Sequence, residues 1–88
     1  MEAGKLVGLN VRRLRVERGY SQERLALDAG IDRAYFGRIE RGAENVTLAR
    51  LEALANVLQV PLAAFFDEAA VSAETPRALR PGRKPKTS

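Results

Sequence analysis

Hydrophobic residues recur at helical spacing in one continuous segment of the chain, SQERLALDAGIDRAYFGRIERG. In its first half, Leu25, Ala26 and Ala29 fall on one helical face. Ser21 precedes them as a suitable N-cap, because its hydroxyl can accept a hydrogen bond from an unpaired N–H of the first turn. Gly30 permits the positive φ that ends a helix. The pattern therefore predicts a short helix that starts after Ser21 and ends at Gly30.

The second half of the segment predicts another short helix, which Asp32 caps and Gly42 ends. At roughly 100° per residue, Tyr35, Phe36 and Ile39 point to within about 60° of one direction. The opposite side collects small and cationic residues, namely Arg33, Ala34, Gly37, Arg38 and Arg41. Two helices around a glycine turn match the helix-turn-helix pattern, whose second helix enters the major groove of DNA.

Apolar periodicity on either side of this segment predicts three more helices. A first helix over residues 3–18, ended by Gly19, has a buried stripe of Val7, Val11 and Leu14, which Leu6 flanks. A fourth helix after the N-cap Thr47 has an apolar stripe that is predicted to join the core, made of Leu48, Leu51, Leu54, Ala55 and Leu58. Pro61 suits the first position of a fifth, short helix. The predicted fold class is therefore all-α, a compact five-helix domain.

The fifth helix carries an apolar cluster of Leu62, Phe65 and Phe66. Four helices already close the small core, so part of this cluster is expected to remain exposed, as in a partner surface. We predict that it forms a dimer interface. Packing of the cluster within one chain is the alternative.

The charge distribution separates the chain into two parts. Residues 72–88 hold five Lys/Arg and one Asp/Glu, which accounts for the net charge of +4, whereas residues 1–71 hold ten of each. Three of the four prolines also lie in this basic C-terminal part, which is too polar to bury a core. We therefore predict a domain over residues 1–70 and a disordered, flexible basic tail over residues 71–88. The tail would either add non-specific phosphate contacts or only raise solubility.

The residue types that are missing exclude several classes of function. The 88 residues include no cysteine and no histidine, which removes disulfides, thiol nucleophiles, imidazole bases and the usual zinc sites. No cofactor, metal or small-molecule motif is visible, so we expect a protein that is not an enzyme. Without a signal peptide or a long apolar run, the chain is expected to be soluble and cytoplasmic, with no membrane partner.

Specific motifs identify a family resemblance. The segment Ser21–Asp32 continues into Tyr35–Gly42, then into the NVTL run at 45–48, and ends with the leucine pattern that reaches Pro61. In this order the residues resemble the phage-repressor/Cro-type (XRE) helix-turn-helix family over about residues 6–66. The resemblance implies a lambda-repressor-like domain that binds a double-stranded DNA operator. The compact size and the 35–66 stretch also resemble the controller proteins of restriction–modification systems.

The resemblance assigns base readout to three residues of the second motif helix, Arg33, Ala34 and Arg38. Arginine can donate two hydrogen bonds to guanine O6 and N7, and alanine can contact a thymine methyl. At least one G·C pair is therefore expected in each half-site. One of the two arginines could instead bind only phosphate. Gly37 departs from the small hydroxyl residue common at this position; it either allows close approach to DNA or is tolerated.

The resemblance also implies contacts to the DNA backbone, made by Gln22, Tyr35, Arg41, Asn45, Arg12 and Arg13. The backbone N–H of Gln22 would lie at a helix N-terminus, where unpaired N–H groups suit a phosphate, and its side-chain amide could add a further hydrogen bond. Tyr35 is either a phosphate donor or a packed ring. Arg12 and Arg13 are expected on the outer face of the first helix, where they either bind phosphate or are simply solvated. Glu44 is expected to turn away from DNA.

In the same family, the arginine at the position of Arg15 pairs with the glutamate at the position of Glu40. Such a pair would tie the first helix to the recognition helix. Ordinary surface charges are the alternative.

Together these features predict a sequence-specific transcriptional regulator that acts as a homodimer on an inverted-repeat operator, with a recognition helix at about 32–41. The alternative is a protein-interaction module of the antitoxin type that binds DNA secondarily. That module would need a second protein-binding surface, for which only 62–66 and the tail are available.

Overall fold

A computed structural model describes residues 1–74, which fold into α-helices and one 3₁₀ helix, with no strand within this range. The elements are α1 (Ala3–Glu17), α2 (Gln22–Ala29), α3 (Arg33–Glu40), α4 (Leu48–Leu58), the 3₁₀ helix (Leu62–Phe66) and α5 (Glu68–Glu74). The predicted all-α, five-helix class is confirmed. Most of the predicted basic tail lies outside the described residues.

Side chains predicted as N-caps begin three of the helices. Ser21, Asp32 and Thr47 each accept a hydrogen bond from the backbone N–H three residues ahead, at 3.0, 3.0 and 3.2 Å. Gly30 ends α2 in the left-handed region, with φ 71°. These caps satisfy backbone groups that the helix ends leave unpaired, and they mark where the two motif helices begin and where α2 ends.

The core forms where α1, α2, α3, α4 and the 3₁₀ helix meet. Its largest fully buried side chains are Phe36, Phe65, Leu25, Ile39, Leu54, Leu58 and Val11. Leu48 was predicted to join this core, and that prediction is wrong, because 66% of it is exposed. It is the first residue of α4, where the helix begins outside the packed bundle.

The 3₁₀ helix corrects the prediction for Phe65. A 3₁₀ helix has three residues per turn, so Leu62 and Phe65 share a side. Phe65 is completely buried in the core and Leu62 is half-buried against it, whereas Phe66 is exposed. Phe65 therefore packs within its own chain and offers no free surface to a second copy.

Asn10 is a buried polar residue that connects α1 to the end of the domain. Its side-chain amide nitrogen donates to the backbone carbonyls of Phe65 and Asp67, at 3.0 and 3.2 Å. Its oxygen accepts from Nη2 and Nε of Arg13, at 2.8 and 3.2 Å. The prediction that Arg13 lies outside is therefore wrong, since only 12% of its side chain is exposed.

Helix α1 and the C-terminal end of α3 approach each other closely at Gly8. A Cβ atom at this residue would lie 2.5 Å from the carbonyl oxygen of Ile39 and 2.6 Å from that of Glu40. Real Cβ atoms do not approach backbone oxygens this closely, so the contact requires glycine. This packing sets the position of α3 relative to α1.

Helix α5 extends past the predicted domain boundary at residue 70. It runs to Glu74, and Val71 is 2% exposed on its inner side. Asp67 accepts a hydrogen bond from the N–H of Ala70 at 3.0 Å, which supports the first turn. The sequence pattern fades here because so short a helix offers little periodicity to detect.

Candidate nucleic-acid interface

Helix α3 presents two chemically different sides. Phe36 and Ile39 are buried beneath it, whereas Arg33, Ala34 and Arg41 are exposed. Gly37 lies on the cationic side but is itself covered, because a Cβ there would lie 3.0 Å from Nη1 of Arg33 and 3.4 Å from Nη1 of Arg41. These two arginines therefore lie along the glycine and form a low, cationic surface.

An ion pair between Arg15 and Glu40 holds α3 to α1. Arg15 Nε lies 2.6 Å from Glu40 Oε2, and Nη2 lies 3.2 Å from Oε1. Only 12% of the arginine side chain and 4% of the glutamate side chain are exposed. Arg15 Nη1 also donates to the backbone carbonyl of Tyr20 at 3.0 Å. The pair that the family resemblance implies is thus present, shielded from water and joined to the chain before α2.

Gln22 extends this network to the first turn of α3. Its amide nitrogen donates to Glu40 Oε1 at 2.9 Å, and its amide oxygen accepts from Nη2 of Arg33. Both ends of the side-chain amide are therefore used within the protein. A phosphate would have to meet the backbone N–H groups at the start of α2 or displace one of these bonds. An open cavity of about 360 Å³ adjoins this corner, lined by Arg15, Ser21, Gln22, Glu23 and Arg33.

Arg38 lies at the other end of the cationic side and has two neighbours. Its Nε donates to Glu44 Oε2 at 2.6 Å, and its Cζ lies 5.6 Å from the centre of the Tyr35 ring. The carboxylate of Glu44 faces this arginine, and the expectation that it turns away from DNA stays a prediction. Arg50, which the sequence analysis did not single out, has its Cζ 4.8 Å from the same ring. Spacing along α4 gives no signal for this contact, because Tyr35 lies on another helix.

The remaining candidate residues differ in exposure. Arg12, Arg41 and Asn45 are exposed, and the ring of Tyr35 is half-buried against the core. Arg13 is turned toward Asn10 as described above. The exposed arginine side chains that could contact an anion therefore belong to α3, to α4 and to the outer side of α1.

Residues 1–74 contain neither a membrane-spanning helix nor a metal-binding cluster. No helix there is long and apolar enough to cross a membrane. Over the same range, acidic residues do not gather into a cluster that could hold a metal ion.

Comparisons with known proteins agree with this geometry. The HTH_3 family model, described as helix-turn-helix, matches residues 11–65. The chain is 42% identical over 60 residues to y4dJ, an HTH-type transcriptional regulator of Sinorhizobium fredii, covering 68% of this chain and 78% of that protein. It is 40% identical over 55 residues to a hypothetical transcription factor of Neisseria meningitidis serogroup B, covering 62% of this chain and 52% of that protein. The chain thus spans about half the length of the Neisseria relative.

Solved structures show the same fold. The restriction–modification controller protein C.AhdI from Aeromonas hydrophila superposes with a TM-score of 0.70 at 40% identity, covering 72% of this chain and 96% of that chain. SinR of Bacillus subtilis, a master regulator for biofilm formation solved in complex with DNA, superposes with a TM-score of 0.66 at 34% identity. That match covers 69% of this chain and 98% of the other.

Proposed function

Since this chain belongs to the HTH_3 helix-turn-helix family, we propose that it regulates transcription by binding a specific sequence in double-stranded DNA as a homodimer. The names of its relatives describe transcriptional regulators and controller proteins rather than enzymes, in agreement with the predicted absence of an enzymatic activity. Helix α3 is the recognition helix in this proposal.

The observation that carries the proposal is the cationic side of α3, held in place from beneath. Arg33, Ala34 and Arg38 face outward, while Phe36 and Ile39 anchor the helix in the core. A rigid helix with short and cationic side chains fits the major groove, where guanine and thymine present groups that arginine and alanine can recognise.

Contacts to the DNA backbone would flank this helix. Arg41 and Asn45 follow its C-terminal end, Gln22 begins the helix before it, and Arg12 projects from α1. Tyr35 is better suited to positioning, since its ring packs against the core and lies beside two arginines. Contacts of this kind fix the register of a protein on the duplex without reading its sequence.

The homodimer would form through the exposed part of the apolar cluster on the 3₁₀ helix, Leu62–Phe66. Phe66 is 45% exposed and Leu62 is half-buried beside it. A symmetric dimer places two recognition helices in successive major grooves, about 34 Å apart, and therefore requires an inverted-repeat operator.

The proposal is tested by selecting bound duplexes from a random pool at ~150 mM salt, where non-specific phosphate attraction is weakened. We expect an enriched inverted repeat with half-site centres about 10 base pairs apart and at least one G·C pair in each half-site. Enrichment of a single half-site would contradict the dimer. A pool that remains random would contradict sequence-specific binding and would favour the protein-interaction alternative.

A further inference from the structure

Glu44 is an acidic residue that lies directly beside one of the arginines proposed to read DNA. Its side chain is 27% exposed and lies beside Arg38, whose side chain is 43% exposed. A carboxylate near phosphate opposes binding, so its placement here calls for a physical explanation.

The loop after α3 fixes the position of this carboxylate. The N–H of Gly42 donates to the carbonyl of Ile39 at 3.0 Å, and the N–H of Ala43 donates to that of Arg38 at 2.9 Å. Gly42 has φ 75°, and a Cβ atom on it would lie 2.9 Å from Cγ of Lys5. The backbone therefore folds back over the end of α3 in a geometry that glycine permits, and Glu44 is held beside Arg38.

The contact uses one particular donor of the guanidinium group. Glu44 accepts from Nε of Arg38, which leaves the four N–H groups on Nη1 and Nη2 for other partners. Those two nitrogens are the outer end of the side chain, and a pair of parallel N–H donors matches O6 and N7 of guanine. The Tyr35 ring, 5.6 Å from Cζ, limits the guanidinium from a second direction.

From these contacts we infer that Glu44 is a positioning residue for sequence readout, which holds Arg38 so that its two Nη atoms face a guanine. This inference rests on the proposed base readout by Arg38. Without the carboxylate, Arg38 is free to swing toward a phosphate, a contact that carries no sequence information. Glu44 thereby lowers affinity for all DNA slightly and raises the preference for one base pair.

The test compares base preferences of the wild type and variants on a randomised duplex library, with folding checked by circular dichroism. Arg38→Ala should reduce preference at one base pair by about 5- to 140-fold. Glu44→Ala should reduce preference at the same base pair by about 3- to 10-fold and at no other. In the double variant, adding Glu44→Ala to Arg38→Ala should reduce the preference at this base pair no further, because Glu44 acts through Arg38.

Two further variants separate positioning from charge. Glu44→Gln keeps an oxygen that can accept from Nε, so it should preserve the base preference while binding all sequences more tightly. Glu23→Ala removes another carboxylate, exposed at the start of α2, and should strengthen binding without changing any preference. If Glu44→Ala instead changes affinity equally for every sequence, Glu44 acts only through its charge and the inference is overturned.

The free protein provides a readout that does not depend on DNA. The Nε–H signal of Arg38 in proton–nitrogen NMR spectra should be protected from exchange in the wild type and lose that protection in Glu44→Ala. An unprotected signal in the wild type would overturn the positioning role of Glu44 and leave the proposed base readout by Arg38 untouched. An unchanged base preference in Arg38→Ala would instead overturn the proposed readout on which the inference depends.

Discussion

Arg15 illustrates how a single side chain can connect three segments of the chain. It binds Glu40 through two nitrogens and the carbonyl of Tyr20 through the third, and little of it is exposed. Gln22 adds a donor to the same carboxylate. Every ionised atom in this group has a partner, which a buried charge requires.

We expect Arg15→Ala to lower the free energy of unfolding by about 3–5 kcal/mol, because Glu40 would be left as a buried, uncompensated charge. The matched control is Arg24→Ala, whose pair with Asp28 lies on the surface, with 65% of the arginine side chain exposed. That variant should cost only about 0.3–0.5 kcal/mol. Urea unfolding of both proteins gives the two values. Similar losses in both variants would show that the Arg15–Glu40 pair has no special structural role.

At the residue scale, the sequence indicated which side chains of α3 are exposed and which are buried, but it did not indicate every residue that the charged side chains contact. The exposure of Arg33 and the burial of Phe36 follow from helical periodicity. The internal contact of Arg13 and the contact of Glu44 with Arg38 depend on where neighbouring groups lie after folding. Sequence spacing alone cannot show whether a charged side chain is solvated or has a partner within the protein. Arg13 contacts the buried amide of Asn10, and Arg38 contacts Glu44 in the loop after α3; neither partner was predicted.

Among the elements, the approach of α1 to α3 gives a sharp prediction. Gly8→Ala should lower the free energy of unfolding by about 1–3 kcal/mol, since the added Cβ would collide with two backbone oxygens that cannot rotate away. The control is Gly4→Ala, one turn earlier in α1, where a Cβ would lie at 3.4 Å from the carbonyl oxygen of Gly42. This variant should be neutral or up to about 1 kcal/mol more stable, because alanine favours the helix. Thermal melts that show two equally stable proteins would contradict the close approach.

Element boundaries were most predictable where a side chain caps a helix. Ser21, Asp32 and Thr47 marked three starts correctly, and Gly19 and Gly30 marked two ends, because the interactions span only a few residues. The 3₁₀ geometry of 62–66 and the helix at 68–74 depend on packing against α1, which local sequence does not encode.

At the scale of the whole molecule, the proposed dimer depends on Phe66. Replacing it by aspartate should raise the dimer dissociation constant at least about 10-fold, because burying phenylalanine contributes about 1.5–3 kcal/mol and a symmetric interface loses two copies. Leu48→Asp is the control, since Leu48 is also exposed but lies at the start of α4. Sedimentation equilibrium measures both constants. An unchanged constant in Phe66→Asp would remove this residue from the interface.

The amide of Asn10 also has a consequence for the order in which the domain is made. Two of its acceptors, the carbonyls of Phe65 and Asp67, lie 55 and 57 residues further along the chain. During synthesis, α1 emerges first, but its amide cannot form these two contacts until residue 67 has followed. Helices α2 and α3 are complete in sequence well before that point. The core is therefore completed only when the segment proposed to pair two copies arrives, so a chain interrupted before residue 62 lacks both Phe65 of the core and the proposed dimer contact.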